Sequence, residues 1–166
     1  MCSKKIFKKI NNFSKSLAQA RKKNLLIKPL PISICRDPNL VKQVLSFAEA
    51  KLNWHPIGFK IGATNKAIMK ILKAKEPFYS YLYREQTFNN NKKLTLTPKT
   101  FGIELEIAYK ISKKIFNIKI GKKKQLKSYI HGIAPAIELV GCRQKLDKID
   151  YVGQAAVDFG LNISFV

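Results

Sequence analysis

The alternation of apolar and acidic residues over positions 101–109 constrains the fold of this chain more than any other feature. The segment reads Phe-Gly-Ile-Glu-Leu-Glu-Ile-Ala-Tyr, so Glu104 and Glu106 alternate with aliphatic side chains. Successive side chains of a β-strand point to opposite faces of the sheet. The pattern therefore predicts a strand from about Phe101 to Ile111, with both glutamates on one face and the aliphatic residues on the other.

A third glutamate has a similar setting farther along the chain. Glu138 stands in Ala-Ile-Glu-Leu-Val, an otherwise apolar segment that predicts a strand over 137–140. Alternate residues of one strand have Cα atoms about 7 Å apart, so the carboxylates of Glu104 and Glu106 can reach one ion. Enclosed carboxylates repel one another unless a cation compensates their charge, and oxygen-only ligation selects a hard divalent ion, Mg²⁺ or Mn²⁺. The alternative is an amphipathic strand whose glutamates point into solvent, and the spacing alone leaves both interpretations open.

Lys60 also stands among apolar neighbours, in the segment Gly-Phe-Lys-Ile-Gly. The two glycines bound a predicted strand over 57–62. A lysine on such a strand can project into a cleft, where it holds an anion or acts as an acid. The alternative is a lysine whose ammonium reaches solvent past its own apolar stem.

The remaining pattern predicts a helical N-terminal part followed by strands. Positions 4–23 form a basic amphipathic pattern, and Asp37 is suited to cap a second helix that ends at about Leu52. Further strands are predicted at 94–97, 115–120 and 161–166, with a short helix after Asn65 and a short helix or an approach loop over 129–136. The predicted class is α+β, with a mainly helical region 1–55 and a β-rich domain 56–166.

The net charge is unusually positive. The 166 residues include 32 lysines and arginines against 10 acidic residues, which gives +22. Such an excess favours nucleic acids or anionic membranes as partners. Only four of the basic residues are arginines, although proteins that read a DNA groove rely on arginine for bidentate contacts. A basic nucleic-acid-binding protein is therefore the less favoured interpretation.

Two further features concern the compartment. No unbroken apolar run approaches the roughly 18 residues of a membrane-spanning helix. The three cysteines are an odd set without a Cys-x-x-Cys pair, which predicts neither a disulfide framework nor a zinc site. A reducing compartment fits this cysteine usage, and we predict a cytoplasmic protein without a membrane partner.

Several segments occur in an order and spacing typical of one enzyme superfamily. They are IGFKIGATN at 57–65, PFYSYLY at 77–83, FGIELEIAY at 101–109 and IAPAIELVGCR at 133–143, with a weaker match in VDFGLN at 157–162. Together they resemble the fumarylacetoacetate hydrolase superfamily, most closely its branch of 2-keto-4-pentenoate hydratases and 4-oxalocrotonate decarboxylases. The resemblance extends over nearly the whole chain from about residue 40.

The resemblance implies roles for seven residues. It makes Glu104, Glu106 and Glu138 the ligands of Mg²⁺ or Mn²⁺, places Lys60 and Glu85 where protons are transferred and substrate is oriented, and gives Arg143 and Asp158 substrate or supporting roles. In the family an acidic residue, usually aspartate, follows the aromatic stretch, and Glu85 falls near that place.

The resemblance also implies an activity. It is that of a divalent-metal-dependent hydro-lyase, which adds water to a 2-hydroxy-dienoate or 2-oxo-enoate such as 2-keto-4-pentenoate. A related 2-oxo-acid decarboxylase and a truncated, inactive member of the family are the alternatives. Members of the family continue well past the last strand present here, so the implied fold is an N-terminal helical segment followed by an incomplete mixed β-structure. The implied partner is a small 2-oxo acid, with no specific nucleic acid and with a homo-oligomer left open.

Overall fold

The computed structural model of the protein describes residues 4–89, 92–94, 96, 100–117 and 126–166. Its helices are α1 (Lys4–Lys23), α2 (Ile32–Cys35), α3 (Pro38–Leu52), α4 (Lys66–Ile71) and α5 (Val152–Val157). Its strands are β1 (Pro56–Gly62), β2 (Phe78–Tyr83), β3 (Thr100–Ile111), β4 (Ile130–Gly141) and β5 (Asn162–Phe165). The helices α1, α2 and α3 precede the first strand, and α4 and α5 lie between later antiparallel strands, so the predicted α+β class is confirmed. No helix within these ranges is long and apolar enough to span a lipid bilayer.

The helix α3 begins and ends where the sequence predicts. The side chain of Asp37 accepts hydrogen bonds from the backbone N–H of Asn39 at 2.9 Å and of Leu40 at 3.3 Å. These bonds satisfy two donors that the first turn of a helix leaves without a partner, which contributes about 1 kcal/mol. After Leu52, Asn53 has a φ of 52° and ends the helix in the left-handed conformation.

The N-terminal helices pack against a segment near the C-terminal end of the chain. One buried apolar cluster contains Ile10, Leu30, Ile34, Cys35, Val41, Val44 and Val157. A second contains Leu17, Ala18, Ala48, Leu52, Tyr83 and Phe159. The residues around Val157 and Phe159 are therefore held by the helical layer. The predicted boundary between regions 1–55 and 56–166 stays a prediction.

The strands form two antiparallel sheets. In the first, β1 pairs with β2, and Lys60 lies opposite Ser80. The second has the order β3-β4-β5, with Glu104 opposite Glu138 and Glu138 opposite Phe165. Side chains directly opposite each other in a ladder lie on the same face of the sheet. The register therefore places Glu138 on the same face of the sheet as Glu104 and Glu106.

The structure differs from the sequence-based prediction at the start of β4. A short helix or an approach loop was expected over 129–136, and both alternatives are wrong because the strand begins at Ile130. Gly132 and Pro135 weaken the intrinsic strand preference of this segment, but pairing with β3 along its length determines its conformation. Pro135 is tolerated because β5 pairs only farther along β4, so the strand has one neighbour at that point.

Two other predicted strands are not found where residues are described. Of the strand predicted over 115–120, residues 115–117 belong to the 3₁₀ helix Lys113–Asn117, and 118–120 lie outside the described residues. Of the strand predicted over 94–97, Leu94 and Leu96 are irregular, and the other two positions lie outside the described residues. Short alternating runs of this kind do not specify a strand without a pairing partner.

Candidate metal centre

The three glutamates singled out in the sequence converge in space. Glu104, Glu106 and Glu138 each place one carboxylate oxygen within 4.8 Å of the other two. The antiparallel register of β3 and β4 produces this arrangement, since Glu104 and Glu138 are directly opposite each other. Glu104 is exposed and Glu138 is completely buried, so the cluster extends from the interior to the surface.

The two oxygens of the Glu138 carboxylate have different surroundings. Its Oε1 accepts hydrogen bonds from Lys60 Nζ at 2.5 Å and from Asn162 Nδ2 at 3.1 Å. Its Oε2 is buried and accepts no hydrogen bond from the residues that the structure describes. Burial raises the pKa of the Glu138 carboxyl above its ordinary value, against the opposing effect of the Lys60 ammonium. A buried carboxylate oxygen without a donor is costly, and a cation beside it removes that cost.

The donor set and its spacing fit a hard divalent cation. Oxygens bound to one Mg²⁺ at about 2.1 Å are separated by at most roughly 4.2 Å, and oxygens bound to one Ca²⁺ at about 2.5 Å by roughly 5 Å. The glutamate oxygens lie within 4.8 Å of one another, so small side-chain adjustments bring them to one ion. The buried Oε2 of Glu138 accepts no hydrogen bond from the described residues, so it would be free to serve as a ligand atom.

Lys60 connects the two sheets at this cluster. From β1 its Nζ donates to Glu138 on β4 and, at 3.1 Å, to the carbonyl oxygen of Gly160. Gly160 has a φ of 68° within a left-handed turn over 159–161, whose other two residues also have positive φ. A Cβ at this position would lie 3.0 Å from Ser80 Cβ. Glycine therefore permits both the backbone conformation and the close approach that bring this carbonyl to Lys60.

Arg143 and Asp158 form a buried ion pair beside the cluster. Arg143 Nη1 lies 3.0 Å from Asp158 Oδ1, and the backbone N–H of Arg143 donates to Asp158 Oδ2 at 2.6 Å. Arg143 Nη2 also donates to the backbone oxygen of Asn162 at 2.8 Å. These contacts tie the segment that carries Gly160 and Asn162 to the end of β4.

Asp158→Asn is expected to lower the free energy of unfolding by about 3–5 kcal/mol, because it leaves the buried Arg143 guanidinium without its counter-charge. Urea unfolding of the variant and the unchanged protein measures the difference. Asp150→Asn is the matched control: its partner Lys148 is an exposed lysine with Nζ 3.4 Å from Asp150 Oδ1, and such pairs contribute about 0–1 kcal/mol. Equal losses in the two variants would contradict a structural role for the buried pair.

Glu85 has a different environment from the converging glutamates. Its Oε1 lies 2.8 Å from His55 Nδ1, and its Oε2 accepts from the backbone N–H of His55 at 3.1 Å. Its carboxylate is not one of the three that lie within 4.8 Å of one another. The role in proton transfer that the resemblance implies for Glu85 stays a prediction.

Two residues that the sequence analysis did not single out complete the environment of Glu138. Asn162 donates to Glu138, and its own Oδ1 accepts from Arg21 Nη2 at 3.1 Å. Arg21 comes from α1, where it falls on the buried stripe formed with Ile10, Ser14 and Leu17. Its position at helical spacing from these residues was the available signal, since an arginine on a buried stripe requires partners.

Comparison with known proteins gives a fold but no close relative. No protein-family model matches the chain, and no curated protein matches it. A solved 4-oxalocrotonate decarboxylase from Pseudomonas putida G7, complexed with magnesium and adipate, matches with a TM-score of 0.72 and 15% identity over 95% of this chain and 61% of that chain. The same enzyme complexed with calcium and acetate matches with a TM-score of 0.70 and 14% identity over the same shares.

These identities are low, so the comparison concerns the fold alone. The chain spans about three fifths of the length of the two solved structures, 61% in each case. Over 95% of its own length, the chain has the fold of 4-oxalocrotonate decarboxylase, in agreement with the resemblance identified from its sequence.

Proposed function

We propose that the protein is a divalent-metal-dependent enzyme that acts on a small 2-oxo acid in the cytoplasm. The observation that carries the proposal is the convergence of three carboxylates that include Glu138, whose buried Oε2 accepts no hydrogen bond from the described residues. The solved enzyme of similar fold is complexed with magnesium in one structure and with calcium in the other. Within this proposal we favour a hydratase that acts on a 2-hydroxy-dienoate or 2-oxo-enoate, such as 2-keto-4-pentenoate.

Glu104, Glu106 and Glu138 are the residues that would hold the ion, which we propose to be Mg²⁺ or Mn²⁺. When bound, such an ion supplies Lewis-acid polarisation to the carboxylate and keto oxygens of a chelating 2-oxo acid. Three glutamate oxygens leave about three positions of an octahedral shell for water and substrate. The exposure of Glu104 gives a substrate access to the cluster from solvent.

Lys60 is the residue we propose to orient the substrate and to move a proton. An ammonium has three N–H donors, and Lys60 uses two of them on Glu138 and Gly160. Its side chain is only 10% exposed, so a hydrogen bond from the third donor is little weakened by competing water. The two fixed contacts hold the ammonium beside the glutamate cluster, within reach of a substrate bound there.

Mg²⁺ or Mn²⁺ is expected to raise the unfolding temperature. Binding stabilises the folded state by RT ln(1 + [L]/Kd), which is about 2.7 kcal/mol at one hundred times Kd. Glu106→Gln removes a ligand and should abolish most of this shift, together with turnover of 2-hydroxypenta-2,4-dienoate. Glu76→Gln, which changes an exposed glutamate outside the cluster, is the control. A shift in Glu106→Gln equal to that of the unchanged protein would show that the site is wrongly assigned.

A decarboxylase is the second candidate, favoured by the activity of the solved enzyme of similar fold. Release of CO₂ from 4-oxalocrotonate, measured beside water addition to 2-hydroxypenta-2,4-dienoate, distinguishes the two reactions. Metal binding without either reaction would identify the third alternative, an inactive member of the fold.

A further inference from the structure

Arg21 connects the N-terminal helical layer to the buried end of the glutamate cluster. Its Nη2 donates to Asn162 Oδ1 at 3.1 Å, and Asn162 Nδ2 donates to Glu138 Oε1 at 3.1 Å. The path therefore runs from a helix that contributes none of the three carboxylates to the carboxylate that is completely buried.

The chemistry of the guanidinium determines the orientation of the Asn162 amide. A guanidinium has only donors, so it must face the amide oxygen of Asn162. The amide nitrogen is then directed at Glu138. A reversed amide would place an NH₂ group against Arg21 and a carbonyl oxygen against a carboxylate oxygen, and both contacts are repulsive.

The orientation of the amide in turn distinguishes the two oxygens of Glu138. Asn162 and Lys60 both donate to Oε1, which is thereby satisfied within the protein. Oε2 is left without a donor among the described residues. If Asn162 ceased to donate, the carboxyl group would be held by Lys60 alone and could rotate, which would exchange the roles of its two oxygens.

Arg21 is itself fixed in place. It is only 2% exposed, and its guanidinium carbon lies 4.3 Å from the ring centroid of Phe159, with Tyr83 at 5.3 Å and Trp54 at 5.5 Å. Cation–π contacts are strongest where water is excluded, so these three rings hold the buried guanidinium in place. The backbone of Asn162 is restrained independently, since its carbonyl oxygen accepts from Arg143.

We propose that Arg21 is a positioning residue of the metal centre, which acts through Asn162 to direct Oε2 of Glu138 toward the ion. The inference rests on the proposed function, because it concerns the way in which a metal ligand is presented. It adds a component from α1, outside the segments that carry the family resemblance.

The test is a double-mutant cycle read out as Mn²⁺ affinity, measured by electron paramagnetic resonance of free Mn²⁺ on the full chain. Arg21→Met and Asn162→Ala are each expected to weaken Mn²⁺ binding about 10–100-fold, as for other residues that orient metal ligands. Because both act through one path, the double variant should bind no more weakly than the worse single variant. If Arg21→Met does not fold, Arg21→Lys takes its place. The lysine keeps the positive charge among the rings but lacks the planar guanidinium, so we expect at least a threefold loss of Mn²⁺ affinity.

Two controls separate positioning from general loosening of α1. Ile10→Ala removes a buried side chain of α1 from the other apolar cluster, which does not contain Tyr83 or Phe159, and it lowers stability but should leave Mn²⁺ affinity within twofold of the unchanged protein. Lys22→Met removes an exposed charge next to Arg21 and should also leave the affinity within twofold. Equal affinity losses in Arg21→Met and Ile10→Ala, or additive losses in the cycle, would overturn this inference but not the proposed function. Failure of the unchanged protein to bind Mn²⁺ would overturn the proposed function and this inference with it.

Discussion

Glu138→Gln is expected to weaken Mn²⁺ binding by more than 100-fold, the largest effect among single changes at the site. The glutamine amide keeps the shape of the side chain and one oxygen that can accept from Lys60 and Asn162. It replaces the partnerless Oε2 with an NH₂ group, which cannot bind a cation. The effect should therefore exceed the roughly 10–100-fold loss expected for a residue that only orients a ligand.

Mn²⁺ titration of the folded variant, with folding verified by circular dichroism, measures this loss. Glu76→Gln again serves as the control, because it makes the same chemical change on an exposed glutamate outside the cluster. Loss of 2-oxo-acid turnover should parallel the loss of Mn²⁺ affinity. If Glu138→Gln bound Mn²⁺ as tightly as Glu76→Gln, the buried carboxylate would have to be explained by its pair with Lys60 alone.

Most of the fold could be predicted because its elements carry local signals. The helix α3 has an aspartate cap with a proline after it, and the strand β3 has a strict alternation over 101–109. The first part of β4 has no comparable local signal, because Gly132 and Pro135 disfavour a strand. It becomes a strand by pairing with β3, and pairing between distant segments is a property that a local pattern does not encode.

The exposure of β3 differs from what its alternation suggests. An apolar face usually turns inward, yet Leu105 is 86% exposed, and Glu104 on the opposite face is exposed as well. On the neighbouring strand, Glu138 is completely buried. A glutamate is buried at this position because Lys60 and Asn162 reach it from other elements, and that compensation is visible only in three dimensions.

The sequence analysis singled out the three glutamates that converge, but it did not single out Arg21 and Asn162. Glu104 and Glu106 share a strand face by periodicity alone, whereas the position of Glu138 opposite Glu104 depends on the register of β3 and β4. Arg21 lies on a helix that shares no sequence motif with these strands. Helical spacing places Arg21 on the buried stripe of α1, but no spacing rule indicates that its partner is Asn162.

Lys60→Met is expected to destabilise the metal-free protein by about 3–5 kcal/mol, because it leaves the buried Glu138 carboxylate without its counter-charge. For a chain of this size the loss corresponds to a fall of roughly 6–20 °C in unfolding temperature. A divalent ion at the cluster restores a counter-charge, so saturating Mn²⁺ should raise the unfolding temperature more in the variant than in the unchanged protein. Lys148→Met, which breaks an exposed pair, is the control. It should change the free energy of unfolding by no more than about 1 kcal/mol, and Mn²⁺ should raise its unfolding temperature as much as that of the unchanged protein.

The loss of stability in Lys60→Met should depend on pH, because it arises from the charge of the Glu138 carboxylate. Burial already raises the pKa of Glu138 above its ordinary value of 4.5, and removal of the Lys60 ammonium takes away an influence that lowers it. A carboxyl whose pKa is higher in the folded than in the unfolded state costs stability above the folded-state pKa, and this cost disappears as the pH falls below the unfolded-state value. The deficit should therefore be large at neutral pH and shrink as the pH approaches 4.5, as measured by urea unfolding across that range. A deficit that does not change with pH would mean that Lys60 stabilises the protein through packing of its stem rather than through the charge it places beside Glu138.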